Sequence, residues 1–136
     1  MYASIADLVE RFGETEVIEL TDQDHVGQID TAVAERALQD ATAEIDGYLA
    51  ARYRLPVTDT PRLLSVLCTD IARYRLQKGV TTDQARQRYE DAVATLKRIQ
   101  DGRMNLPLTA PPPASADPMI APGIGRVFDR NSLKGF

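Results

Sequence analysis

Residues 60–79 read TPRLLSVLCTDIARYRLQKG. This stretch decides the fold. Thr60 is a favoured N-cap type, and Pro61 stands at the first helical position, where the amide that proline lacks has no intrahelical acceptor in any case. Leu63, Leu67, Ile71 and Tyr74 recur at steps of three or four, with Leu64 and Cys68 alongside, which is the period of one helix face. Lys78 and Gly79 then supply the cation and the small residue that close a helix. A face this wide has to be covered by other helices.

The neighbours on both sides are helical too. Downstream, a helix is predicted from Thr82 or Asp83 to Gly102, with Ala85, Tyr89, Ala92, Leu96 and Ile99 as its seam. The short Gly79–Thr82 connection makes the two antiparallel neighbours. Upstream, a helix is predicted from Asp30 or Thr31 to Tyr53 on the stripe Val33, Ala37, Ala41, Ile45, Tyr48 and Leu49. Gly47 inside it costs about 1 kcal/mol relative to alanine, so close approach of another helix is the expected compensation. Pro56 prevents continuation. At the start, Ser4 and Asp7 form a weak capping-box pattern for a helix over Ser4–Phe12. Ile5, Leu8, Val9 and Phe12 are its face, and Gly13 is expected to end it in the left-handed region. Glu16–Leu20 (EVIEL) is β-prone but short. The expected fold is all-α: a small bundle of about four helices.

Composition shifts near Gly102, which divides the chain into a helical bundle domain, 1–102, and an extended C-terminal arm, 103–136. The first part holds two prolines; the second holds Pro107, Pro111, Pro112, Pro113, Pro118 and Pro122. Prolines at that density exclude a helix and favour an extended arm, about 3.1 Å per residue in polyproline II. The body carries 12 basic and 18 acidic residues, a balance of −6, and the arm carries four against two, a balance of +2. The arm is expected to dock on something else. Its end, residues 124–136, joins Arg126, Arg130 and Lys134 to Val127, Phe128, Leu133 and Phe136, more bulky apolar residues than a disordered end needs. Apolar anchors flanked by cations suit an acidic partner surface, so Arg126, Phe128, Arg130, Leu133 and Phe136 are the candidate docking residues.

The 136 residues suit one domain. No apolar run approaches the roughly 20 residues of a membrane span, and the first residues are too acidic for a secretory signal. One cysteine (Cys68) excludes an intrachain disulfide, and one histidine (His25) leaves no metal or proton-relay cluster. A net charge of −4 disfavours sequence-independent nucleic-acid binding. Asp22–Val33 superficially resembles a calcium loop, but ligand five falls on Val26 and the bidentate glutamate on Val33. It reads better as an acidic loop feeding a helix N-terminus. Cys68 among Leu64, Leu67 and Ile71 reads as a buried, inert thiol. Gly123-Ile124-Gly125 does not follow a strand, and no two prolines are spaced as PxxP. No metal or cofactor is expected.

Ala51–Leu55 and Ala72–Leu76 both read ARYRL. Arginine complements a helix C-terminus and tyrosine packs its ring with its hydroxyl wet, which is the structural reading. Recognition of phosphate or a partner's carboxylate is the other, making Arg52, Tyr53, Arg54, Arg73, Tyr74 and Arg75 a possible subunit interface.

Ile45-Asp46-Gly47-Tyr48-Leu49, then Arg52-Tyr53-Arg54-Leu55-Pro56, Ile71–Leu76, Arg88-Tyr89 with Ala92 and Leu96, and the terminal 128–136 carry a resemblance over nearly the whole chain. In these the chain resembles the Mu-like prophage head–tail connector (adaptor) family. The resemblance implies a structural component of a phage neck, made in the host bacterial cytoplasm and carried in the virion. It implies a homo-oligomeric ring, expected to be twelvefold, between the portal protein and the neck or tail-completion proteins. Genome DNA would pass through the bore without specific binding, and no membrane is involved. The acidic body suits a channel that must not hold DNA. A small DNA-binding helical module of the packaging machinery, using Arg52, Arg54, Arg73 and Arg75 on phosphates, is the rival; the −6 body opposes it. An enzyme is not expected, because Asp22, Asp24, Asp30, Glu44 and Asp46 have neither a paired spacing nor a base.

Overall fold

A computed structural model of the chain describes residues 1–107 apart from Pro56, Thr58, Lys78 and Val80. Five helices and no strand occur among the described residues: α1 (Ile5–Phe12), α2 (Glu14–Thr21), α3 (Thr31–Leu49), α4 (Arg62–Leu76) and α5 (Asp83–Gln100). The all-α expectation holds, with one helix more than the periodicity indicates. No helix among the described residues is long and apolar enough to cross a membrane.

Helix α4 is the centre. Leu64, Leu67, Cys68, Ile71, Ala72 and Leu76 are buried, and so are the polar Thr69, Asp70 and Arg73. It runs antiparallel to α3 and α5, which lie parallel to each other, as the Glu44–Tyr89 and Arg52–Ile99 contacts show. From α3 come Ala34, Ala37, Leu38, Ala41, Ile45 and Leu49; from α5 come Ala85, Ala92, Leu96 and Ile99. Helices α1 and α2 pack across α3 and α4 and add Leu8 and Val17.

Most helix starts follow the sequence. The Asp7 amide donates to Ser4 Oγ at 3.3 Å and the Ser4 amide to Asp7 Oδ2 at 2.8 Å, completing the capping box. Asp30 caps α3 by accepting from Ala32 and Val33, and Thr82 caps α5 by accepting from Ala85. Helix α4 differs. Pro61 itself is the N-cap, at φ −69° and ψ 154°, and Thr60 lies one residue outside without capping. The extended ψ keeps the proline half out of the helix, so Arg62 is the first helical residue.

Four other expectations are corrected. EVIEL belongs to α2: Val17 is buried, and Thr21 Oγ1 donates to the Val17 carbonyl at 2.8 Å. Glu14 and Glu16 in the first turn favour the helix dipole, and tertiary packing overrides β-propensity. Gly13, at φ 92° and ψ 148°, is outside the left-handed helical region because it turns the chain straight from α1 into α2. Gly47 is exposed, and a Cβ there would meet nothing within 4 Å. Close approach to α4 occurs instead around the small residues Ala37 and Ala41, where Cys68 Sγ lies 3.8 Å from the Leu38 carbonyl oxygen. Helix α3 also ends at Leu49, four residues before Tyr53, and a tight turn follows; Pro56 and Lys78 lie outside the described residues.

Gly47→Ala is therefore expected to raise stability by about 0.5–1 kcal/mol, because it removes backbone entropy without a clash. Leu38→Ala is expected to lower it by about 2–5 kcal/mol. Denaturant melts with an unchanged slope check both; a destabilising Gly47→Ala would mean that the surface of α3 is covered.

Candidate functional site

The charged side chains of α4 reach outward to the helices around it. Asp70 and Arg73 are each 8% exposed, so each needs a partner. Arg11, from α1, brings Nη1 to 2.8 Å from Asp70 Oδ1, 2.7 Å from Thr69 Oγ1 and 3.1 Å from the Val66 carbonyl oxygen. Arg88 Nη1, from α5, stands 3.9 Å from the same Asp70 oxygen. Arg73 grips Glu16 of α2 in a fork, at 2.6 Å through Nε and 3.3 Å through Nη2. Phe12 lies between the two arginines, its ring centroid 4.5 Å from Arg73 Cζ and 5.1 Å from Arg11 Cζ.

A second group joins α3, α4 and α5. Arg75 Nη2 donates to Glu44 Oε1 at 2.7 Å, and Tyr89 donates its hydroxyl to Glu44 Oε2 at 2.9 Å. Tyr74 and Tyr89 stack with centroids 4.2 Å apart and planes 10° apart. Burial, then the hydrogen bond to the Glu44 carboxylate, pushes Tyr89 up to about 12. Tyr2 is shifted the same way by burial and by its hydroxyl bond to Asp46.

The third group lies where the C-terminal segment leaves the bundle. Arg52 donates to the Ile99 carbonyl at 2.8 Å, the Met104 carbonyl at 3.2 Å and Asn105 Oδ1 at 2.7 Å. Tyr53 accepts at its hydroxyl from the Leu106 amide at 3.1 Å, and Leu106 is buried.

Of the six residues proposed from the ARYRL echo, Arg52, Tyr53, Arg73, Tyr74 and Arg75 thus have partners within the chain, and Arg54 is exposed. The two copies are not equivalent: the first is a turn beyond α3, the second the last turns of α4. The proposed docking residues Arg126, Phe128, Arg130, Leu133 and Phe136 lie outside the described residues, as does Gly123-Ile124-Gly125. Sequence reasoning missed Arg11, Phe12, Glu16 and Asp70. The signal for Asp70 was present: a charge three residues after Leu67 and next to Ile71, on a face otherwise apolar.

The acidic loop serves the backbone. Asp22 accepts from the amides of Val26 (3.0 Å) and Gly27 (2.7 Å), which hold its carboxyl below the usual carboxylate range. His25, at φ 58°, is exposed on the same loop. No group of three or more metal-ligating side chains occurs among the described residues. The Cys68 thiol is fully buried, 3.6 Å from Thr42 Oγ1, and burial pushes its pKa up, away from a reactive thiolate. A groove of about 240 Å³ between α4 and α5 is lined by Leu63, Val66, Arg88, Asp91 and Thr95. Its carboxylates, Asp70 and Asp91, already accept from Arg11 and Gln87. It offers no nucleophile with a base.

The tyrosine environments set an alkaline limit. Tyr89 in the folded state titrates above the ordinary tyrosine value of about 10, so its contribution is complete below pH 10 and is lost as pH rises toward 12. Spectrophotometric titration should show Tyr89 and Tyr2 ionising above pH 10, with stability falling over that window. Tyr89→Phe should flatten part of the fall.

These contacts join elements across residues 2–106, and the likeness to known proteins spans all of them and continues beyond. The family model described as Bacteriophage Mu, Gp36 matches residues 2–121. The chain is 35% identical over 138 residues to the Mu-like prophage FluMu protein gp36 of Haemophilus influenzae, covering all of this chain and 98% of that one. It is 40% identical over 139 residues to Gene product J of Escherichia phage Mu, covering 99% and 98%. A phage protein by descent, the chain belongs to the Bacteriophage Mu, Gp36 family.

Proposed function

We propose that the protein is a structural head–tail connector of a Mu-like phage, assembling as a homo-oligomeric ring between the portal and the next neck or tail-completion proteins. The observation that carries the reading is the match to Mu and Mu-like prophage proteins over essentially the full chain, C-terminal segment included. The geometry supports it in two ways. The body closes its buried charges internally and offers no assembled acid–base site among the described residues, as suits a scaffold. Its exposed charge is also polarised. Toward the end where α3 begins, Glu19, Asp24, Glu35, Asp40 and Asp83 outnumber Arg36, Arg75 and Arg86; toward the opposite end, Arg54, Arg62, Lys97, Arg98 and Arg103 outnumber Asp59 and Asp101. Unlike ends suit head-to-tail contacts between copies, the heterologous interface that closes a ring.

The basic and apolar residues Arg126, Phe128, Arg130, Leu133 and Phe136 dock on the portal or on a neighbouring subunit in this reading. Genome DNA passes through the bore without being held. Deleting residues 124–136 is expected to leave the helical circular dichroism and melting of the body unchanged and to abolish attachment to portal-bearing capsids. Normal attachment of the truncated protein would refute the docking assignment.

A DNA-binding module is disfavoured by the same arginines. Arg52, Arg73 and Arg75 are held by carbonyls and carboxylates of their own chain, so binding phosphate would cost those contacts. Gel shifts on duplex DNA should show no appreciable binding at physiological salt; a tight, salt-sensitive shift would favour the packaging module.

A further inference from the structure

We infer that Arg52 and Tyr53 are positioning residues: a clamp that fixes where and in which direction the C-terminal segment leaves the bundle. The inference rests on the reading that this segment docks on a partner.

The argument starts at the end of α5. Gly102, at φ +85°, reverses the chain, and the amides of Arg103 and Met104 both donate to the Arg98 carbonyl, at 2.9 and 3.2 Å. Those bonds already finish the helix. The contacts from the turn after α3 go further. One guanidinium, lying 5.3 Å over the Tyr53 ring, ties the last turn of α5 (Ile99) to two residues beyond it, Met104 and Asn105. The next residue is held twice, through its amide on the Tyr53 hydroxyl and through the buried Leu106 side chain. Beyond the Met104 amide, residues 104–106 make no backbone bond to α5. What these bonds specify is the course of the chain at Pro107.

The consequence is geometric. Sixteen residues separate Pro107 from Ile124, a stretch of about 50 Å when extended. A tether whose root is free to swivel spreads its end over a large volume; a root held in one direction raises the effective concentration at a target in that direction. The planar fork of arginine reaches three acceptors on both sides of the reversal, whereas lysine offers a single point charge. This gives the first ARYRL copy a task that the second, whose side chains pair with Glu16, Tyr89 and Glu44, does not have.

The test uses the full chain. Arg52→Gln, Arg52→Lys and Tyr53→Phe are compared with the unaltered protein by limited trypsin digestion, well below the melting temperature. Mass spectrometry follows cleavage after Arg103, with cleavage after Arg36 and Arg86 as the control for general loosening. The expected result for Arg52→Gln is at least tenfold faster cleavage after Arg103, unchanged control sites and weaker attachment to portal-bearing capsids. Arg52→Lys and Tyr53→Phe should fall between. Unchanged cleavage after Arg103, or a parallel rise at the control sites, would overturn the clamp; so would faster cleavage with attachment unaltered when residues 108–136 are needed for attachment. If a chain lacking 108–136 attaches normally, it is the docking reading that fails, and the Arg103 cleavage rates still judge the clamp.

Discussion

The rest of the structure depends on the two buried charges of α4. Asp70 and Arg73 sit on the helix that every other element packs against, and each is matched by a residue from a different short helix, Arg11 from α1 and Glu16 from α2. An eight-residue helix is marginal alone, so α1 and α2 persist only through tertiary contact. Leu8 and Val17 supply apolar area, but apolar contact is indifferent to small rotations. The forked Arg73–Glu16 pair and the triple acceptor set of Arg11 are not. They admit one seating of α1–α2, with the Phe12 ring held between the two guanidinium groups. Removing one partner would strand a buried charge, a cost of about 3–5 kcal/mol, whereas an apolar replacement of the whole pair can be neutral. The pairs therefore act more on arrangement than on net stability.

That constraint has a functional consequence. A small body that engages Arg11, Arg52, Arg73 and Arg75 within itself withholds all but Arg54 of the repeated motif's arginines from phosphate. In the proposed reading, recognition of other molecules falls to exposed charge at the two ends of the bundle and to the C-terminal segment. The likeness that places the chain in the Gp36 family extends over 98% of the length of its Mu and FluMu relatives.

The core was legible where periodicity and capping chemistry agree. Leu67, Cys68 and Ile71, the Ala37–Ala41–Ile45 stripe and the Ala92–Leu96–Ile99 seam are all buried, and Ser4, Asp30 and Thr82 cap as their types imply. Ala34 and Leu38 went unread because the predicted stripe on α3 was narrower than the face that α4 covers. Glu16–Leu20 was illegible for a stronger reason: its β-branched residues favour a strand locally, and only Val17 meeting the core decides otherwise. Gly47 misled because composition cannot tell an exposed glycine from one at a crossing. The roles of the two ARYRL copies were likewise hidden. Identical pentapeptides differ here in backbone state and in partner, Glu16 and Glu44 for one, residues 99–106 for the other, and every one of those partners is distant in sequence.

The most direct test is a double-mutant cycle on Arg11 and Asp70, using Arg11→Met, Asp70→Asn and the double variant in denaturant melts. Pinning of α1 to α4 by this contact predicts a coupling energy of about 1–3 kcal/mol. Strictly additive losses would mean that the two charges do not act on each other, and that apolar packing alone seats the N-terminal helices.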